Sequence, residues 1–155
     1  EFLADELKDP APALVASLAE HIGEQGTVIS WNMSFEATRN TELARLIPSA
    51  ADFLTSLNTR MFDLMQIVKK GYYVDSHFEG SASIKKVLPI LCPELSYDAL
   101  AIHEGATASA SWPVLTNLKT PALDRTHLRA DMLAYCSLDT FAMLEIWKKF
   151  TVSCK

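Results

Sequence analysis

Residues 126–150 read as one long helix, and that helix sets an acid on its own apolar stripe. Leu128, Met132, Ala142 and Ile146 recur at helical spacing, at about 100° per residue, and Tyr135 and Asp139 fall on the same face, one turn apart. A carboxylate on such a face is costly unless something compensates it. Tyr135-x-x-x-Asp139 allows two compensations. One is a structural hydrogen bond between phenol and carboxylate; the other is a divalent cation held by the acid. The spacing by itself leaves both open.

A second pattern lies near residue 30. After Gly26 comes a β-branched and aromatic run, Thr27 to Trp31, which reads as a strand. It ends in Asn32-x-x-Phe35-Glu36, and a helical pattern with Leu43, Leu46 and Ile47 as its apolar positions follows. Strand, turn and helix with polar groups at the strand end is where open α/β sheets build their sites. The plainer reading is a helix start, with Asn32 or Ser34 as N-cap and Glu36 as a first-turn acid.

The remaining elements follow from periodicity and punctuation. Residues 11–24 read as a helix through Leu14, Val15, Leu18 and Ile22. A helix over 34–47 is stopped by Pro48, and a short one covers 50–57. Residues 60–63 read as a second strand, followed by a helical run to Lys70 that Gly71 ends. Residues 72–80 form a loop, with Tyr72 and Tyr73 as the exposed aromatic pair. Residues 82–91 are helical. Pro113 and Pro121 bound irregular structure within 96–124, apart from a helical turn over 106–110. Trp147 falls among the apolar residues of the last helix and reads as core. Ser81 and Ser83 can N-cap the helix that carries Lys85 and Lys86, and a helix start with lysines nearby can seat a phosphate. Lys69-Lys70 and Lys85-Lys86 read equally well as solvated faces.

Composition narrows the class. At 155 residues, with 49% hydrophobic side chains, the chain reads as a single domain over 1–155 with an adequate core. The net charge of −5 argues against a surface that coats nucleic acid, though not against acids gathered around metal ions. No apolar run approaches the roughly 18 residues of a membrane span, so no membrane partner is expected. Cys92, Cys136 and Cys154 are odd in number and lack C-x-x-C spacing, which favours a reducing, cytoplasmic setting over a zinc site. The four histidines are scattered and read as surface or packing residues. Asp5 and Glu6 are adjacent, so on a strand they would face opposite ways; their surroundings read as a turn or helix start.

Taken in order, the two motifs resemble motifs II and III of the DEDD, or DnaQ-like, 3′–5′ exonucleases of the ribonuclease H-like fold, in the subclass whose third motif is Tyr-x-x-x-Asp. Between them stand Arg60-Met61-Phe62-Asp63-Leu64 and Gly80-Ser81-Ala82-Ser83-Ile84-Lys85-Lys86-Val87-Leu88-Pro89, similar to the family's intervening strand and helix start. The chain is also similar over nearly its whole length to a bacterial domain family of unassigned function that carries these motifs in this order. Glu36 stands where the exonucleases usually carry Asp. Motif I, an Asp-x-Glu on the first strand, has no counterpart here.

The resemblance implies an α/β, ribonuclease H-like fold that starts after its first three strands, mostly helical with a small residual sheet. It implies hydrolysis of phosphodiesters with two Mg²⁺ or Mn²⁺ ions roughly 3.5–4 Å apart. Asp139 would ligate a metal directly, Glu36 would hold the second, and Tyr135 would orient the attacking water. Asn32 would steady the strand end or touch substrate, as would Ser83, Lys85 and Lys86, and Asp63 would support the site or only cap a turn. The expected partner is a single-stranded nucleic-acid end. With two of four acids the chain is expected to be inactive or nearly so alone, and its open sheet edge to be covered by self-association, by a local segment, or to leave residues 1–10 partly disordered. The alternative is a non-catalytic ribonuclease H-like scaffold or nucleic-acid-binding module.

Overall fold

A computed structural model describes residues 1–4 and 6–153, so the expectations placed on Asp5 and Cys154 lie outside the described residues. Among the described residues, seven helices and two short strands follow one another: α1 (Ala11–Ile22), β1 (Val28–Ser30), α2 (Met33–Leu46), α3 (Ala51–Arg60), β2 (Met61–Asp63), α4 (Met65–Lys69), α5 (Ile84–Leu91), α6 (Gly105–Thr116) and α7 (Ala122–Ser153), with 3-10 turns at Pro48–Ala50 and Ser76–Phe78. The described residues form a mostly helical α/β structure around a two-stranded parallel sheet. Val28 pairs with Met61, Ile29 with Phe62 and Ser30 with Asp63.

Alternation along β1 divides the molecule into two cores. Val28 packs toward Val15, Leu54 and Leu57, which join α1 to α3. Ile29, pointing the other way, packs with Trp31 against the larger core of Leu64, Phe78, Val87, Leu88, Tyr97, Leu115, Met132, Tyr135, Ala142, Ile146 and Phe150. Burial of this apolar surface is the dominant stabilising term, at roughly 25 cal/mol per Å² removed from water.

Four expectations need correction. Tyr72 is exposed, but Tyr73 is not: it packs on the main core, its ring 5.2 Å from that of Phe150. Pro113 does not bound irregular structure; it lies inside α6. A proline at that depth removes one helical hydrogen bond and costs about 3 kcal/mol in isolation. Burial of Leu115 and Thr116 offsets it, and the Thr116 hydroxyl bonds the Trp112 carbonyl at 3.0 Å. Trp147 is not core: it is 40% exposed, on the outer side of α7, because Ala142, Ile146 and Phe150 take the inner one. Leu46 is exposed although it continues the apolar pattern of α2, while Leu43 and Ile47 pack as that pattern requires.

The N-terminal residues are engaged. Trp112 Nε1 donates to the Ala4 carbonyl at 3.1 Å and Arg129 donates to the Leu3 carbonyl at 3.1 Å. This segment therefore lies on α6 and α7. Among the described residues no helix is long and apolar enough to cross a membrane.

Candidate functional site

The inner face of α7 carries the first part of the site. Met132, Tyr135, Ala142 and Ile146 are buried, and their spacing holds Asp139, half-buried, against the core. A second phenol meets its carboxylate there. Tyr97 is 4% exposed, and its hydroxyl donates to Asp139 Oδ1 at 2.6 Å. The Tyr97 and Tyr135 rings stand 6.1 Å apart, tilted by 52°. Lys85 Nζ lies 5.9 Å from the centroid of the Tyr97 ring, within reach of a cation–π attraction. Trp31, directly after β1, donates from Nε1 to the Ala82 carbonyl at 3.0 Å. Contacts thus run from the end of β1, through the start of α5, to Tyr97 and Asp139.

Electrostatics keep both phenols protonated. Burial, then the carboxylate of Asp139, pushes Tyr135 up to about 12. Burial, then the hydrogen bond to Asp139, carries Tyr97 well above the usual phenol range. Each is a hydrogen-bond donor throughout the physiological range.

The second part lies where the strands end. Asn32 takes a left-handed conformation at φ 75°, which asparagine tolerates better than most residues. Its backbone N–H donates to Asp63 Oδ1 at 3.0 Å, and its side-chain oxygen accepts from the Ser34 hydroxyl at 2.8 Å. Asp63 Oδ1 also accepts from the Met65 N–H at 3.0 Å, and its Oδ2 from Gln66 at 3.3 Å. Asp63 thereby ties the end of β1 to the start of α4. Glu36 lies in the first turn of α2. Burial raises its pKa, its own backbone N–H opposes the rise, and the charge of Asp63 adds to it. Glu36 Oε2 and the hydroxyl of Ser30, which is 4% exposed, are buried without a partner among the described residues.

The sequence-derived residues therefore fall into two groups. Tyr135, Asp139 and Lys85 form one; Glu36, Asn32 and Asp63 form the other. Ser83 occupies the N-cap position of α5 without a side-chain cap bond; its N–H donates to Ser81 Oγ at 3.2 Å. Lys86 pairs with Glu79 at 2.8 Å, so an acid already occupies one of the two lysines expected to meet a phosphate. Among the described residues no group of three or more His, Cys, Asp or Glu side chains is arranged to hold a metal ion.

Tyr97 is the residue that sequence reasoning missed. Its partner lies 42 positions away, and nothing in Leu95-Ser96-Tyr97-Asp98 separates it from any other loop tyrosine.

A family model described as a domain of unknown function (DUF2779) matches residues 1–83, just over half of the chain. The chain belongs to this family. The DUF2779 match contains Asn32, Glu36, Asp63 and Ser83, and ends before Tyr97, Tyr135 and Asp139. No curated protein and no solved structure matches the chain.

Proposed function

We propose that the chain is a ribonuclease H-like, DEDD-type 3′–5′ exonuclease domain of the tyrosine subclass, acting on nucleic-acid phosphodiesters at a single-stranded end. The observation that carries this reading is the Tyr135–Asp139 pair. It sits on the inner face of α7, within the same core that receives Trp31 from the end of β1.

The donor chemistry suits a hard cation. Glu36 Oε2 is a buried carboxylate oxygen without a partner among the described residues, and Asp139 has one oxygen fixed by Tyr97. Magnesium is commonly held by one or two carboxylates, with waters and substrate phosphates completing its shell. Asp139 would hold one such ion and Glu36 a second, and the bound ions would supply charge neutralisation at the phosphate and an activated water. The chain's own groups do the rest. Tyr135, protonated and adjacent to Asp139, offers an O–H to orient a water or a phosphate oxygen. Lys85, over the ring of Tyr97, would supply positive charge for a phosphate. Asp63 holds the Asn32 turn from which Glu36 projects.

A second reading, a non-catalytic module, draws on the commitment of Asp63 to backbone N–H groups and of Lys86 to Glu79. Manganese titration followed by NMR separates the two. Mn²⁺ is expected to broaden signals of Tyr135 and Glu36, and Asp139→Asn to abolish the effect at Tyr135. Hydrolysis of labelled single-stranded DNA or RNA that survives Asp139→Asn would refute the proposed site.

A further inference from the structure

We propose that Tyr97 is a positioning residue of the Asp139 site: its phenol fixes the side-chain rotamer of Asp139, and its ring gives Lys85 a face to rest on. As a role in ligand binding, this rests on the exonuclease reading above; as a statement about Asp139, it does not.

Three observations carry it. The Tyr97 hydroxyl is 2.6 Å from Asp139 Oδ1, at the short end for an O–H donor to a carboxylate, where such bonds are strongest. The donor does not wander, because Tyr97 is 4% exposed within the main core. Its ring is engaged on both sides of the site, by Tyr135 at 6.1 Å and by Lys85 Nζ at 5.9 Å. An aspartate has two soft torsions, and on α7 the neighbours Cys136 and Thr140 are exposed. The Tyr97 bond therefore holds one oxygen of Asp139 toward the core. Partners of this kind orient metal-binding groups, and their loss commonly weakens metal binding by about 10–100-fold.

The variant is Tyr97→Phe, which keeps the ring, its packing and its face toward Lys85 but removes the hydroxyl. The first readout needs no metal. In the wild-type protein the two methylene protons of Asp139 should show one large and one small three-bond coupling to the α proton, as a single rotamer requires. In Tyr97→Phe the two couplings should converge toward an average. The second readout is Mn²⁺ affinity, expected to fall about tenfold in Tyr97→Phe and to be much less affected in Tyr72→Phe, an exposed control. Unchanged Asp139 couplings in Tyr97→Phe would overturn the proposal, whatever the metal does. Averaged couplings with no Mn²⁺ binding by the wild-type protein would uphold the positioning role and reject the exonuclease reading instead. Should Tyr97→Phe fail to fold, Asp139→Asn supplies the reverse test: at neutral pH the NMR signal of the Tyr97 ring carbon that bears the hydroxyl should shift from its wild-type position, and an unmoved signal would overturn the contact.

Discussion

Asp139 and its two phenols constrain one another, and the constraint has a sign. Burial, and after it the ionised carboxylate of Asp139, disfavours the phenolate, so Tyr135 holds its proton up to about pH 12, against an ordinary value of 10.0. Between those two values the folded chain keeps a proton that the unfolded chain has released. The stability linked to Tyr135 is thus complete below pH 10 and is lost as pH rises through about 12. Asp139→Asn removes the charge but not the burial, which is the larger cause. Tyr135 should therefore ionise earlier in this variant, while remaining above the ordinary phenol value. NMR titration with carbon-labelled tyrosine reads it directly, and an unshifted Tyr135 would contradict the contact. Glu36 runs in the same sense at lower pH. Its raised pKa means that burial disfavours the charged form, so its contribution is present below the ordinary carboxylate range and lost as pH rises through the folded value. Glu36→Gln should raise stability at neutral pH by about 0.5 kcal/mol, small because the group is partly exposed and solvent screens it. Thermal melts check this: the gain should vanish near pH 4, where the wild-type carboxyl is itself mostly protonated. A gain in stability accompanied by loss of Mn²⁺ binding is what a residue kept for function, against stability, should show.

Among the elements, the β1–α2 turn shows most clearly what local chemistry decides. Asn32 stands at φ 75°, where a left-handed backbone costs an ordinary residue roughly 1–2 kcal/mol. Asn32→Gly should therefore leave the unfolding free energy within a few tenths of a kcal/mol, whereas Asn32→Val should lower it by about 2 kcal/mol. Equal losses in urea titrations would mean that the Asn32 side chain, through Ser34, matters more than its backbone. This turn was legible in the sequence because asparagine after a β-branched run is a local signal. So was the inner face of α7, since Met132, Ala142 and Ile146 are buried as their period requires. The period did not settle where the face ends, because a 32-residue helix carries apolar residues outside the stripe as well, and Trp147 is one of them. Pro113 misled for a related reason: the proline rule describes a helix alone, and α6 is held by its packing on α7 and by Trp112 and Thr116. Tyr97 was illegible because its significance is wholly tertiary. The two-part site was half legible: the motifs name Tyr135, Asp139, Asn32 and Glu36, but not that Asp63 and Lys86 arrive already partnered.

At the scale of the whole molecule, the two cores are joined through a ribbon of two short parallel strands, and this ribbon has a free side. In a parallel pair the peptide groups of alternate residues face the partner strand. The Leu64 N–H donates to the Ser30 carbonyl at 3.0 Å, with Ser30 in register with Asp63. Ser30 and Val28 thus turn their peptide groups toward β2, and Ile29 turns its own away from it. Side chains do not compete for this edge: Val28 enters one core and Ile29 the other, so the two faces of β1 are covered while its outer edge carries no strand among the described residues. The N-terminal segment, through Leu3 and Ala4, is bound to α6 and α7. Unpaired edges recruit strands, and a second copy of the chain presents a matching one. The expected outcome is weak, concentration-dependent self-association through β1. Size-exclusion chromatography should show elution shifting earlier as concentration rises. Hydrogen exchange locates the contact. At low concentration the Ile29 amide should exchange much faster than that of Ser30, and at high concentration it should slow while Ser30 stays protected throughout. An Ile29 amide as protected as Ser30 in dilute solution would show the edge covered within one molecule, and association through β1 would be ruled out.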